Sequence, residues 1–564
     1  MTCHAIVRVA GRRRLFRSRE DRSLTKRCPE AQRPWTALAG IVLVLLLPLG
    51  AAAGLLLMAG ADDMAADTVL PDAYVWRVVR FTLLQAALST LLSVTLGMWV
   101  GHALFRQGHM AGHGLVTRLL LLPFALPQLV AVLGLLAVWG RHGWVNQLLQ
   151  ALGMQDGISL YGLPGILLAH VFYNAPLVAR LVHVRLAAMP TEYLRLAAQL
   201  GIPRRAFWRL VTWPVLRGIL PGAALLVFML CAGSFTVVLV LGGGPGATTL
   251  EVAIYQSLRF DFAPARALIL ALLQMVLTGT LFLLLRRLAA WPDTMAGLSP
   301  VAPHPHAQEH GARLIDGAAI LLLVALVALP LAGIMQAGLA ADLARLLQET
   351  AVWQALVTSL AMAAAATMLA LMACALLLTS MAAPRGGVRT GAWPNLAEAV
   401  ASLVLVISPV ILAAGWFVLL ARTDLAQERT AAFWLVSGIN ALMSLPFVWR
   451  TLAPAWRDLR QRHGRLCAQL GLSLPTRWRL VILPGLAPAL GPALAMSLAL
   501  SLGDLGAVAL LGSEEFRTLP LLIYQRLGSY RTADAAGLSL ILLLMVTALM
   551  LATERLARKG DIRP

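Results

Sequence analysis

Lysine is almost missing from this 564-residue chain: of its 46 basic residues only Lys26 and Lys559 are lysines. A P-loop ATPase holds the β- and γ-phosphates with the lysine of a G-x-x-x-x-G-K-[ST] loop, and neither lysine stands in one. Any ATP hydrolysis linked to this chain therefore belongs to another polypeptide. Cysteine is equally sparse. Cys3, Cys28, Cys231, Cys374 and Cys467 are scattered without a C-x-x-C pair, which supports neither a disulfide framework nor a zinc site. No Gly-x-Ser-x-Gly or His-Glu-x-x-His motif occurs, so the usual sequence marks of a hydrolase are lacking. Charge as a whole is low, 13% of residues against about 25% in soluble domains.

What fills the space is apolar. Hydrophobic residues make up 59% of the chain and its mean hydropathy is +0.78, the composition of a polytopic membrane protein. A helical span needs about 20 predominantly apolar residues. By that measure the sequence predicts twelve, near 36–60, 81–104, 119–139, 163–184, 219–241, 267–285, 317–338, 354–380, 397–420, 432–449, 486–511 and 535–553. The first run is about 25 residues long, beyond the roughly 7–15 residues of a cleaved signal, and reads as a retained span.

The net charge of +20 suggests nucleic acid until its distribution is mapped. Ten basic residues precede Trp35 against three acids, so the positive-inside rule puts the N-terminus in the cytoplasm. Alternating from there, 35 Lys and Arg fall on the cytoplasmic side and 11 outside, while acids divide 11 inside and 14 outside with Asp504 left within a span. The excess is a topology signal and not a nucleic-acid footprint. With an even number of spans, both termini are expected in the cytoplasm.

The segment 289–315 is rich in Pro, Gly and His, including Pro303-His304-Pro305-His306 and His310. No cysteine or acidic cluster completes a metal site, and the stretch reads as a solvated linker. It separates two halves that repeat. Arg195 to Gly201 (RLAAQLG) returns as Arg465 to Gly471 (RLCAQLG), Trp208-Arg209-Leu210-Val211 as Trp478-Arg479-Leu480-Val481, and Pro214 as Pro484, all at an offset of 270. Pro176, Arg180 and Gly233 match Pro446, Arg450 and Gly503 at the same offset; Ile254-Tyr255-Gln256 matches Ile523-Tyr524-Gln525 one residue out of step. Two six-span modules in the same orientation follow, a parallel repeat about an axis along the membrane normal. The expected organisation is a basic, disordered tail (1–34), a first module (35–288), the linker, a second module (316–555) and a short tail (556–564).

The strongest repeat falls in predicted cytoplasmic loops. Gly201 is placed to supply the left-handed cap that ends one short helix, Pro203 to begin another, and Pro214 to stop it, with Arg204, Arg205 and Arg209 exposed. Gly471, Pro475 and Pro484 repeat the arrangement. Two copies at fixed spacing in matching loops read as paired docking elements.

These loops resemble the signature of importer-type ABC permeases: roughly E-A-A, three residues, Gly, about nine residues, then I-x-L-P. The glycine-to-proline spacing is kept in both copies. The glutamate position holds Arg195 and Arg465, the first alanine is Leu196 or Leu466, and only the second copy has Leu483-Pro484. With Tyr161-Gly162-Leu163, Gly165 to Asn174, Gly242-Gly243-Gly244-Pro245, Gly503-Asp504-Leu505-Gly506 and Phe516 to Pro520, the chain beyond about residue 35 is similar to the fused permeases of bacterial thiamine importers. The resemblance implies an all-α permease of the type I ABC importer fold in the bacterial inner membrane, and no catalytic residue. It implies ATPase-coupling loops containing Ala197, Ala198, Gly201, Pro214, Cys467, Ala468, Gly471 and Pro484. It also implies partners: two copies of an ATPase subunit that carry the ATP and Mg, a periplasmic thiamine-binding protein, thiamine and membrane lipid, with no cofactor on this chain and no nucleic acid. A fused ferric-iron permease and a twelve-span secondary transporter are the alternatives; the scarcity of membrane carboxylates for proton coupling speaks against the second.

Polar residues within spans are candidates for the pathway or for hydrogen bonds between helices. His170 and Asn440 occupy equivalent repeat positions, as do Asn174 and Ser444, and Ser234 and Asp504; these six form the candidate translocation set. His102 and Gln274 are the other two in-span polar candidates. Asp504, flanked by Gly503 and Gly506, reads either as the cap of a broken helix or as a negative charge beside the path of a cation.

Overall fold

The computed structural model describes residues 34–59, 72–154, 157–288, 304–381, 392–403, 406–421, 428–513 and 515–560. The expected disordered tail, save Pro34, and most of the linker lie outside the described residues. Among those described there is no strand, as lipid demands of any span that is not a closed barrel.

Among the described residues ten helices are long and apolar enough to cross a membrane, eleven if one bent pair counts as a single span. In chain order the elements standing for the twelve predicted runs are α1 (Pro34–Ala59), α2 (Ala73–Arg106), α3 (Gln128–Trp139), α4 (Leu163–Ala187), α5 (Trp213–Ala232), α6 (Pro264–Leu288), α7 (His310–Leu339), α8 (Thr350–Leu378), α9 (Pro409–Ala421), α10 (Arg429–Gln469), α11 (Leu483–Leu502) and α12 (Thr532–Gly560). Four differ from the straight spans expected. The third run is the bent pair His113–Phe124 and Gln128–Ala151, broken where Pro127 interrupts the helix. The ninth is split between Ala392–Leu403 and α9, which starts at Pro409. The fifth and eleventh each stop short, α5 at Ala232 and α11 at Leu502, and resume as Thr236–Leu241 and Gly506–Leu511. The predicted linker also shortens. Helix α7 already begins at His310, and His304 is only 6% exposed, so part of that segment is packed, while residues 308–311 and 313–315 remain exposed. At the other end α12 continues to Gly560, beyond the predicted boundary at 555.

The halves exchange their first helices. Helix α1 packs on α9 of the second half, and α7 packs on α3 of the first. Small residues permit both approaches, as expected where packing and not hydrophobicity draws helices together. A Cβ on Gly54 would lie 2.1 Å from the Gly415 carbonyl oxygen, and one on Gly134 would lie 2.5 Å from that of Pro330. Trp416 Nε1 also donates to the Leu47 carbonyl at 3.0 Å. The largest apolar cluster accordingly draws residues from both halves, for instance Ile254 and Leu258 with Ile411 and Leu412.

Candidate functional site: two helix breaks and two coupling loops

The breaks in α5 and α11 bring most of the candidate pathway residues together with unpaired backbone. A helix that stops leaves its last carbonyls without intrahelical partners, and in lipid each must be satisfied from elsewhere. At the first break, Gln85 Nε2 of α2 donates to the Cys231 carbonyl at 2.9 Å and Gln274 Nε2 of α6 lies 3.3 Å from that of Ala232. Asn174 donates to the His170 carbonyl at 2.9 Å and points at Cys231 Sγ, 3.4 Å away. His170 is 3% exposed and shares a hydrogen bond of 2.9 Å with Ser89 Oγ through Nδ1, while its Nε2 has no partner. Ser234 sits in the gap itself, buried.

At the second break the equivalent carbonyl, that of Ser501, is 3.5 Å from Asn440 Nδ2. Asp504 Oδ1 accepts the Gly506 N–H at 3.0 Å, which caps the resumed helix, and buried Oδ2 has no hydrogen-bond partner. The capping role that the flanking glycines suggested is therefore present. Ser444 stands apart: it accepts from Ser497 Oγ at 3.0 Å and donates to the Ala441 carbonyl at 3.1 Å, a small polar contact between α10 and α11. His102 is not with this group at all. It lies edge-on to Trp208 at 4.8 Å between ring centres, beside the first coupling loop.

Each break also meets a bend of the opposite half. Glu251, fully buried, accepts from Gln274 Nε2 at 3.1 Å and from Ser408 Oγ of the second half at 2.7 Å. It thereby ties the first break to the start of α9. The Gly503 position of the second break abuts the first half's Pro127, whose Cα would be 3.0 Å from an added Cβ. Sequence reasoning missed Glu251 because its helix, Leu250–Arg259, is half the length of a span and reads as loop. The interruption of α9 at Ser408-Pro409 was the available signal.

The coupling loops match in detail. Gly201 and Gly471 have φ of +57° and +61°, a region costly for residues with a Cβ. In the first loop the Ile202 N–H reaches the Ala197 carbonyl at 3.1 Å and the Gly201 N–H that of Ala198 at 3.3 Å; in the second the Leu472 N–H reaches the Cys467 carbonyl at 3.2 Å. This is the Schellman pattern of a glycine-capped helix. It gives Ala197, Ala198 and Cys467 backbone roles; Ala468 holds the second copy's matching position next to Cys467.

Two expectations for the prolines fail. Pro203 is the residue before the short helix Arg204–Phe207 and not its first, and Pro214 does not end that helix. The chain runs on through a π-helical turn, Trp208–Thr212, into α5, and Trp478–Ile482 does the same before α11. Pro214 and Pro484 stand in the first turn of α5 and α11, just after the wide turn. There the hydrogen-bond register has already shifted, so a missing N–H breaks little.

Of the arginines expected at the surface, Arg205 and Arg209 are exposed and Arg204 is half-buried, and the loops present leucine beside them. Leu200 and Leu470 are 66% and 64% exposed, and Leu210 and Leu480 are 66% and 63%. The two loops thus expose closely similar apolar surfaces, the kind of exposed patch that suits a candidate contact surface.

No family model matches the chain. Curated relatives do. The thiamine transport system permease protein ThiP of Brucella abortus (strain 2308) is 45% identical over 523 residues, covering 92% of this chain and 94% of the relative. ThiP of Escherichia coli (strain K12) is 42% identical over 515 residues (91% and 95%), and ThiP of Salmonella typhimurium is 41% identical over 512 (91% and 95%). Identity at this level across nearly the full length of both partners, together with the helical repeat and the two capped loops, makes the chain a member of the thiamine transport system permease family.

Proposed function

We propose that the chain is the membrane permease of an ATP-driven importer that carries thiamine into the bacterial cytoplasm through its inner membrane. The full-length likeness to the ThiP proteins carries this reading. In it, two copies of a separate ATPase subunit, with their ATP and Mg, seat on the leucine-faced loops around Gly201 and Gly471. A periplasmic thiamine-binding protein delivers ligand at the opposite face. Both termini then lie in the cytoplasm, because the basic N-terminal segment and Arg555, Arg558, Lys559 and Arg563 follow the positive-inside rule.

The two helix breaks form the pathway in this reading. Thiamine carries a thiazolium cation, and Asp504, with one carboxylate oxygen unpartnered, supplies the negative potential beside it. Residues of this kind within a span are costly and keep their place through function or pairing.

Uptake of labelled thiamine is the test, in an auxotroph lacking its own permease and supplied with this chain and its cognate ATPase and binding protein. Uptake that depends on this chain and is not displaced by ferric iron supports the reading. A correctly inserted chain that restores iron and not thiamine uptake would overturn it. Cysteine labelling from outside should mark a site at position 67 and miss one at 307; the reverse pattern would invert the topology.

A further inference from the structure

A cavity of about 610 Å³ opens beside the first coupling loop, and nothing in the transport reading uses it. Its polar wall holds Arg204 and Arg205 of the loop, His102 of α2, and His304 and His306 from the stretch before α7. Its apolar wall includes Trp99 and Ile315, which are 41% and 46% exposed on the flanks of α2 and α7. The chamber therefore reaches the bilayer surface as well as the loop.

The charge in it is unbalanced. Arg106 at the back is taken up by Asp316, which is fully buried against it and also accepts from Gln107 Nε2 at 3.0 Å. Glu309 is engaged by His306 Nδ1 at 2.7 Å. Among the described residues no carboxylate lines the cavity, and none forms an ion pair with Arg204 or Arg205. His304 is 6% exposed, sits edge-on to Phe207 at 4.9 Å and Phe105 at 5.5 Å, and its Nε2 has no hydrogen-bond partner; His306 Nε2 lacks one too. Burial, aided by the neighbouring His102 and Arg106, pushes the His304 pKa down to about 3. At neutral pH that imidazole is uncharged, and the positive charge of the site is that of the arginines.

We propose that this cavity binds the phosphate headgroup of an anionic phospholipid, with Arg204 and Arg205 on the phosphate and an acyl chain along Trp99 and Ile315. Cationic pockets between helices at the membrane surface are suited to such headgroups. The apolar wall facing the bilayer favours a lipid over a soluble phosphate compound. The site has no counterpart beside the second loop. The second loop has Leu474 and Pro475 at the positions of Arg204 and Arg205, and the stretch carrying His304 and His306 precedes only α7. The inference is independent of which ligand is transported, though it takes the loop-bearing face as the cytoplasmic one.

Native mass spectrometry of the full chain in detergent, titrated with phosphatidylglycerol, phosphatidylcholine or inorganic phosphate, tests it. Phosphatidylglycerol should bind preferentially. Arg204→Gln with Arg205→Gln should weaken it roughly tenfold to thirtyfold, while Arg479→Gln in the second loop should not. If the double variant misfolds, as judged by its melting temperature, the exposed Arg205→Gln alone should still give a partial loss. Equal retention of phosphatidylcholine, or no change in the arginine variants, would overturn the proposal. Displacement of the lipid by inorganic phosphate alone would assign the cavity to a soluble phosphate compound instead.

Discussion

At the break after α5, three side chains from three other helices manage the loose ends: Gln85, Gln274 and, through Gln274, the buried Glu251. At the break after α11 the work falls to Asn440 and to Asp504, which lies inside the gap. The backbone is the same in both, with helices Thr236–Leu241 and Gly506–Leu511 starting at the same offset of 270. Duplicated backbone thus imposes the same orphaned groups twice, and each copy satisfies them with whatever polar residue neighbours it. The result is one break with its acid turned towards the other half and one with its acid in the gap. Only the second leaves a carboxylate oxygen unpartnered at the break.

The ends of the halves differ likewise. Where α2 meets α7, Arg106 and Asp316 form a buried ion pair. Where α1 meets α8, the matching seam is largely apolar and close, a Cβ on Gly40 falling 2.9 Å from that of Leu376, and the Thr36 and Thr379 hydroxyls are joined at 3.0 Å. Asp316→Ala would leave Arg106 buried without its counter-charge. It should cost about 3–5 kcal/mol in detergent unfolding. Thr36→Val, at the apolar seam, should cost at most about 1.5 kcal/mol. Comparable losses at the two seams would mean that the asymmetry has no energetic content.

Smaller effects sharpen the contrast between the breaks. Glu251→Ala removes the shared acceptor of Gln274 Nε2 and Ser408 Oγ and should cost about 1–3 kcal/mol; Asp504→Ala removes a cap and should cost about 0.5–2 kcal/mol. Asp504→Asn keeps an acceptor for the Gly506 N–H. Its melting temperature should therefore stay near the parent's while thiamine uptake falls severalfold. Parental uptake by that variant would leave Asp504 a structural cap and nothing more.

The loops offer the narrowest test. No atom lies within 4 Å of an added Cβ at Gly201 or Gly471, so substitution there meets backbone strain and not a clash. Gly471→Val and Gly201→Val should each lower ATPase assembly and uptake, by similar factors, while membrane insertion survives. A variant that leaves both unchanged would reduce that loop to a plain connector.

Much of this was readable along the chain because it is local. Apolar runs of span length and the glycine caps at 201 and 471 are set by residues close together in the chain, and the 270-residue offset is read by comparing such local runs, which lipid enforces one segment at a time. The breaks were half legible: Gly503-Asp504-Leu505-Gly506 announced one, but Gly233-Ser234 looked like span interior. What closes those gaps comes from residues 42 to 146 positions away, as with Gln274 and Gln85, and no periodicity encodes such a meeting. Glu251 stayed invisible because a ten-residue helix is too short to register as membrane-buried until α6 and the start of α9 close around it. The sequence by itself determined that this is a duplicated helical membrane protein with two matched loops, since the hydrophobic effect and backbone strain act locally. Tertiary structure alone decided which polar groups meet at the breaks and where the halves part from symmetry, because a buried hydrogen-bonding group takes its partner from whichever helix packing brings within reach.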